Sequence, residues 1–168
     1  MKREGFFWDD PVCLIVDSCV VAQVINAEPD TDYFPVLQWL LSRTVTGKIV
    51  MGGGLGREAT FQPGTHASRF LRQLRQAGRL RRISDDEVDQ DERIVIRLGI
   101  CRSNDTHVIA LARVSGARVL CTNDGNLMQD MANRALVSRP RGKTYRNTSH
   151  THLLGHNSAC QAAMRRAQ

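Results

Sequence analysis

Residues 12–17 read Val-Cys-Leu-Ile-Val-Asp, five apolar residues followed directly by a carboxylate. A short continuous apolar run is typical of a strand that is buried on both faces of a parallel sheet. Arg118 to Cys121 is a second strand of this kind, and it leads through Thr122 and Asn123 to Asp124. Because ligands of open α/β sheets bind outside the carboxyl ends of the strands, both acids are expected at one functional edge.

Strand and helix patterns alternate along the rest of the chain. Apolar residues at helical spacing, with caps and breakers, predict helices over residues 18–27, 33–43, 66–77, 84–98 and 105–115. Two more strands are predicted over residues 48–51 and 80–83, and a helix containing Glu58 is predicted after the Gly52-Gly53-Gly54 turn. This alternation predicts an α/β fold, an open parallel β-sheet flanked by helices in three layers.

The size and charge of the chain bound its class. With 168 residues the chain is long enough for one domain with a real core. We expect this domain to cover residues 1–139, because residues 140–168 are polar and basic and are typical of a tail or peripheral extension. The net charge of +6 is carried mostly by arginine, which suits a polyanionic partner such as nucleic acid, although it can also serve solubility alone.

The five cysteines and the hydropathy pattern indicate a cytoplasmic protein. The cysteines are scattered without a C-x-x-C pair, so neither a disulfide framework nor a zinc ribbon is indicated, and reduced thiols are expected. No stretch approaches the ~20 apolar residues of a membrane span. The first ten residues contain charges where a signal peptide requires an apolar run, so export is not expected.

Four acids are expected to converge at the functional edge. Asp17 and Asp124 follow strands, Asp105 lies in the first turn of a helix that is apolar nearly all round, and Glu58 follows the second strand. Like charges a few ångströms apart raise each other's pKa steeply, and a divalent cation removes that conflict. Ligands that are all oxygens favour Mg²⁺ or Mn²⁺, as in phosphodiesterase sites.

Each acid also has a structural interpretation. Asp105 could stabilise a helix N-terminus, Asp124 beside Gly125 could serve a turn, and Glu58 could lie on a solvated helix face. Asp17 is the exception, since a carboxylate next to a buried strand is costly unless it is paired or bound to a metal.

Arginines form the densest basic tract of the chain. Those predicted to contact nucleic acid lie on and just after the helix over residues 66–77, and they are Arg69, Arg72, Arg75 and Arg79. An ordinary solvated helix face is the alternative. The acidic run from Asp85 to Glu92 is interpreted as a favourable helix N-terminus and not as a second site.

Three segments carry a family resemblance. They are Leu14-Ile15-Val16-Asp17-Ser18, Ser103-Asn104-Asp105-Thr106-His107-Val108-Ile109-Ala110-Leu111-Ala112-Arg113 and Gly116-Ala117-Arg118-Val119-Leu120-Cys121-Thr122-Asn123-Asp124. In their order and spacing they resemble the signature segments of PIN domains, which include ribonuclease toxins of the VapC type.

The resemblance implies roles for individual residues. Asp17, Glu58, Asp105 and Asp124 would be the catalytic and metal-binding acids, with Ser18 and Thr122 as polar supports. Asn126 stands where many family members have a further acid, which would weaken a second metal site.

The function that follows is a Mg²⁺- or Mn²⁺-dependent nuclease that hydrolyses phosphodiester bonds, with RNA favoured as the substrate. A toxin of this family would have an antitoxin partner, and homodimers are common in the family. Two alternatives stay open: a catalytically inactive PIN-like module that binds nucleic acid or protein, and a nuclease directed at DNA.

Overall fold

The computed structural model describes residues 13–42, 47–54 and 64–155. Their elements, in chain order, are β1 (Cys13–Val16), α1 (Ser18–Ile25), α2 (Phe34–Leu41), β2 (Lys48–Met51), α3 (His66–Gln76), β3 (Leu80–Arg82), α4 (Asp85–Leu98), α5 (Thr106–Ser115), β4 (Val119–Cys121), α6 (Gly125–Ala132), β5 (Lys143–Tyr145) and a 3-10 helix (Thr148–Gly155). The five strands form one parallel sheet in the order β3-β2-β1-β4-β5. The predicted α/β fold with an open parallel sheet is confirmed.

Two hydrophobic cores cover the two faces of the sheet. Along β1, Cys13 and Ile15 belong to the core that contains α4, α5 and α6, whereas Leu14 belongs to the core that contains α1, α2 and α3. Successive side chains of a strand point to opposite faces, so one apolar run supplies both cores. This explains why the strand reads as continuously apolar, and it confirms the three-layer arrangement.

The predicted helices end within a few residues of their observed bounds. Gly116 has a φ of 76° and follows α5 as its C-cap, a left-handed conformation that glycine adopts without strain. Thr65 caps the N-terminus of α3, since its hydroxyl accepts a hydrogen bond from the amide of Ser68 at 3.1 Å. Local capping chemistry therefore defines these boundaries.

The predicted domain boundary at residue 139 requires correction. β5 pairs with β4 as the fifth strand, and Tyr145 is fully buried with 0% of its surface exposed. Leu153 and Leu154 of the 3-10 helix are also buried in the core that contains α1 and α2. Residues 143–155 thus belong to the domain. The segment was predicted to be peripheral because it is mostly polar, although Tyr145, Leu153 and Leu154 attach it to the core.

Three of the described cysteines, Cys19, Cys101 and Cys121, are free thiols. Within residues 13–42, 47–54 and 64–155, no helix combines the length and the apolar character that a membrane crossing requires.

The sheet has two functionally different edges. We use "carboxyl edge" for the side where the strands end, at Val16, Met51, Arg82, Cys121 and Tyr145, and "amino edge" for the side where they begin. β1 lies in the middle, with β2 on one side and β4 on the other. The chain order reverses between β1 and β4, which creates a crevice at the carboxyl edge of these two strands.

Candidate metal centre at the carboxyl edge

Asp17 lies directly in the crevice between β1 and β4. Its amide donates to the carbonyl of Cys121 at 2.9 Å, which fixes its backbone against the neighbouring strand. Its side chain is 5% exposed, and its Oδ2 accepts hydrogen bonds from the hydroxyl of Thr122 at 2.7 Å and from the thiol of Cys19 at 3.0 Å. The carboxylate is therefore held in one orientation by two donors.

Thr122 links Asp17 to Asp124. Its hydroxyl donates to Asp17 and accepts a hydrogen bond from the amide of Asp124 at 3.0 Å. The hydroxyl hydrogen of Thr122 is thus donated to the carboxylate of Asp17, while its oxygen accepts from the backbone of Asp124. Thr122 is fully buried, so both acids are tied to a rigid part of the sheet.

Asp124 caps helix α6. Its Oδ1 accepts hydrogen bonds from the amides of Asn126 at 2.8 Å and Leu127 at 3.1 Å. This is the capping role that an acid at a helix N-terminus commonly takes. Asn126 is exposed in the first turn of α6, and Ser18 is exposed at the start of α1 with its hydroxyl 3.5 Å from Oδ1 of Asp17.

Asp105 precedes α5 but does not cap it with its side chain. The loop before it is held by Asp130, which is 1% exposed and accepts hydrogen bonds from the amides of Arg102 and Ser103, both at 2.8 Å. Two charge-assisted hydrogen bonds fix the loop that presents Asp105. The carboxylate of Asp105 is thus available for another purpose.

The three acids share one electrostatic environment. The pKa of Asp105 is raised, first by burial, then by Asp17, and to a smaller extent by Asp124, while His107 opposes the shift. Charges of the same sign disfavour ionisation of a neighbouring acid. The field at Asp105 therefore indicates that Asp17 and Asp124 face the same region.

The acids do not form a ready metal cluster. Within the part of the chain that the structure describes, no group of three or more His, Cys, Asp or Glu residues is close enough to hold a metal ion. Mutual repulsion favours separation when no cation is present, and Asp124 is engaged by its own helix. Glu58, the fourth predicted acid, lies outside the described residues.

The chain matches no family model, and no curated protein or solved structure matches it. The PIN resemblance therefore rests on the three quoted segments and stays a prediction.

The glycine-rich turn after β2 is anchored next to this region. The amide of Gly53 donates to Asp85 and the amide of Gly54 donates to Asp89, each at 3.1 Å. Two acids of the first turns of α4 thus bind backbone amides, in addition to any favourable interaction with the helix dipole. Their role in this contact is structural, which agrees with the interpretation of the acidic run.

The four predicted nucleic-acid arginines occupy different positions. Helix α3 begins near α1 at the carboxyl edge, where His66 and Ser18 line one pocket, and it ends at the loop that enters β3. Arg69, Arg72 and Arg75 are exposed at increasing distance from the acids, about 4.5 Å of helix rise for each three residues. Arg79 lies at the amino edge and donates to the carbonyls of Gly47 and Ser42.

Two residues of the centre were missed from the sequence. Cys19 was not considered because a cysteine in a helix signals nothing by itself, and its position opposite Asp17 depends on the α1 turn. Asp130 had a readable signal. It shares a helix face with the buried Leu127 and Met131, and an acid on such a face requires a partner.

Proposed function

We propose that the protein is a metal-dependent nuclease that hydrolyses phosphodiester bonds, with RNA as the favoured substrate. The observation that carries the proposal is the position of Asp17, Asp105 and Asp124 around the crevice between β1 and β4, with the pKa of Asp105 raised by both other acids. Burying like charges together is unfavourable, and such an arrangement is typical of sites that bind a cation.

The donor atoms fit a hard divalent cation such as Mg²⁺ or Mn²⁺. Oδ2 of Asp17 accepts hydrogen bonds from Thr122 and Cys19, and Oδ1 accepts a single long one from the hydroxyl of Ser18 at 3.5 Å. Asp105 uses no side-chain oxygen for capping. Carboxylate oxygens with water and substrate phosphates are the usual ligands of Mg²⁺.

In this proposal the residues of the chain position the cation and the attacking water. Asp17 and Asp105 would hold the cation and orient the attacking water, while Thr122 keeps Asp17 in one orientation and Asp130 holds the loop of Asp105. A bound cation supplies a lowered water pKa and charge neutralisation at phosphorus. A separate general base is not required, because an acid beside a metal can orient the attacking water.

The wider assignments follow from this proposal and from the PIN resemblance. We place the enzyme in the cytoplasm, where its RNA substrates are, and propose that it is the toxin of a toxin-antitoxin pair, held inactive by an antitoxin. A homodimer is the assembly that the resemblance favours.

A second candidate is a catalytically inactive module of the same fold that binds nucleic acid or protein. It is favoured by one observation, the absence of a three-ligand group among the described residues. This candidate predicts nucleic-acid binding without cleavage. A nuclease directed at DNA would instead cleave DNA and not RNA, and one experiment distinguishes the three possibilities.

The test is cleavage of labelled single-stranded RNA and DNA of one sequence, with Mn²⁺, with Mg²⁺ and with a chelator. We expect metal-dependent cleavage of RNA that the chelator abolishes. Asp17→Asn should lower the rate at least ~100-fold, since changes of residues that only support metal ligands already cost 10- to 100-fold.

Asp86→Asn is the matched control, because Asp86 is exposed on α4 and lies outside the centre. It makes the same chemical change and should leave the rate unaltered. Equal rates for Asp17→Asn and the unmodified protein, both folded by circular dichroism, would refute the proposal.

A further inference from the structure

Arg146 lies at the same level of the sheet as the acids. The strand register pairs Val16 with Cys121 and Cys121 with Tyr145, so the residues that follow are Asp17, Thr122 and Arg146 on three adjacent strands. Neighbouring strands are about 4.8 Å apart, which puts the backbone of Arg146 roughly 10 Å from that of Asp17. The C-terminal strand therefore brings a cation to the carboxyl edge.

The backbone beneath Arg146 is firmly held. Tyr145 is fully buried, and its hydroxyl donates to the carbonyl of Asp32 at 2.8 Å. The amide of Arg146 donates to Nδ1 of His150 at 3.1 Å, and the rings of Tyr145 and His150 meet edge to face at 6.3 Å. The backbone of Arg146 is therefore fixed, so a ligand bound by its side chain would be held at a defined position relative to the sheet.

The guanidinium of Arg146 is uncommitted. The residue is exposed, and it makes no side-chain hydrogen bond or ion pair to any residue in the described ranges. The cation at the end of β3 differs, because Arg82 pairs with Asp85 at 3.4 Å. Arg118 differs as well, since its guanidinium donates to several backbone carbonyls of the fold.

Tyr33 connects Arg146 electrostatically to the centre. The pKa of Tyr33 is raised to about 12, first by burial and then by Cys121 and Cys19, whereas the charge of Arg146 lowers it. Cys19 is the thiol that contacts Asp17. The hydroxyl of Tyr33 therefore lies within electrostatic range of both Cys19 and the guanidinium of Arg146.

Building on the proposed nuclease function, we propose that Arg146 binds a backbone phosphate of single-stranded RNA that crosses the carboxyl edge from β1 to β5. A row of acids repels a polyanionic strand on both sides of the phosphate that is cleaved, and a guanidinium one strand beyond β4 offsets this repulsion for the flanking phosphate. β5 and Arg146 then belong to the substrate interface.

The chain offers a matched control on the same strand. Lys143 is exposed at the amino-edge end of β5, three residues and roughly 10 Å of strand from Arg146. Lys143→Ala and Arg146→Ala therefore make the same change of charge in one element, and only Arg146→Ala removes it beside the acids. Arg146→Lys keeps the charge but loses the planar fork.

The experiment measures the dissociation constant of a labelled single-stranded RNA over a salt series, in the Asp17→Asn background to prevent cleavage. Arg146→Ala should weaken binding about 5- to 10-fold and reduce the slope of log K against log salt by about 0.7, the value of one phosphate contact on a single strand. Lys143→Ala should change neither, and Arg146→Lys should fall between. In the active protein, Arg146→Ala should raise KM with little change in kcat.

The outcomes separate this inference from the proposed function. If the active protein cleaves RNA but Arg146→Ala and Lys143→Ala bind RNA equally well, the role of Arg146 is overturned and the proposed nuclease function stands. Binding that depends on Arg146 without any cleavage would overturn the nuclease and support the RNA contact. An unmodified protein that neither binds nor cleaves RNA would overturn both.

Discussion

The two edges of the sheet use the same charged residue types in opposite ways. At the amino edge, Arg118 precedes β4, and its guanidinium donates to the carbonyls of Ala112, Ala117, Ser138 and Pro140. Arg79 similarly donates to the carbonyls of Gly47 and Ser42. These arginines close loops onto the sheet, so their charge is used by the fold itself.

At the carboxyl edge, two charged residues differ from these arginines. The pKa of Asp105 is raised by burial and by its acidic neighbours, and Arg146 is exposed without an ion pair to a described residue. An acid whose charged form is disfavoured by burial and by neighbouring acids at a crevice is a candidate for function. The arginines of the two edges therefore differ in their contacts: those of the amino edge donate to backbone carbonyls, whereas the guanidinium of Arg146 makes no side-chain hydrogen bond to a described residue.

The largest effect of a substitution is expected at the amino edge, on the free energy of unfolding. Arg118→Ala removes a half-buried guanidinium that satisfies four carbonyls, and we expect a loss of about 3 kcal/mol in the free energy of unfolding. Urea denaturation followed by circular dichroism measures it, with Arg118→Lys as the variant that retains charge. Cleavage per folded molecule should be unchanged. A loss of cleavage at full stability would show that the amino edge is functional too.

An effect of opposite sign is expected at the carboxyl edge. Because the pKa of Asp105 is higher in the folded protein than in the unfolded chain, the folded form retains this proton longer, and stability falls as pH rises through that range. Asp105→Asn removes the penalty, so it should raise Tm at pH 7 in the presence of a chelator. The gain should shrink as pH is lowered towards about 4.

Thermal unfolding over a pH series checks this expectation, and added Mn²⁺ provides the complementary measurement. The cation should raise Tm of the unmodified protein more than that of Asp105→Asn, because it compensates the same repulsion. A Tm gain that is independent of pH would mean that Asp105 is strained for a reason other than its charge.

The smallest effects are expected along α3, which spans the two edges. Arg69 lies in its first turns near the carboxyl edge, and Arg75 lies in its last turn. Arg69→Ala should reduce the salt slope of RNA binding by up to about 0.7, whereas Arg75→Ala should leave it unaltered. Filter binding at several salt concentrations would detect the difference. Equal reductions of the salt slope by both substitutions would mean that the whole basic face of α3 contacts RNA, as predicted from the sequence.

The sequence predicted the part of the fold that depends on local patterns. The apolar run of β1, the amphipathic spacing of α3 and the C-cap at Gly116 each carry their own signal, and all three elements are present. β5 was missed because its three residues are polar or aromatic and its partner β4 is more than twenty residues earlier. Pairing across such a distance leaves no periodicity in the strand itself.

The edge at which two of the predicted acids lie could be inferred from the sequence, whereas their hydrogen bonds could not. The position of Asp17 and Asp124 follows from two strands that end in acids, because parallel strands share one edge. The contacts of Cys19 and Asp130 depend on where helices α1 and α6 pack, which a single sequence does not specify. For the same reason, the basic face of α3 could be read from its spacing, while its tilt relative to the acids could not.

β5 also protects its neighbour. All three residues of β4 are buried, and its outer amides and carbonyls are paired with β5 alone on that side. A chain that stopped before Lys143 would expose a hydrophobic strand with unsatisfied backbone groups, the kind of surface on which other chains add as further strands. Pairing with β5 thus covers this side of β4, and truncations of this protein should be designed to retain Lys143–Tyr145.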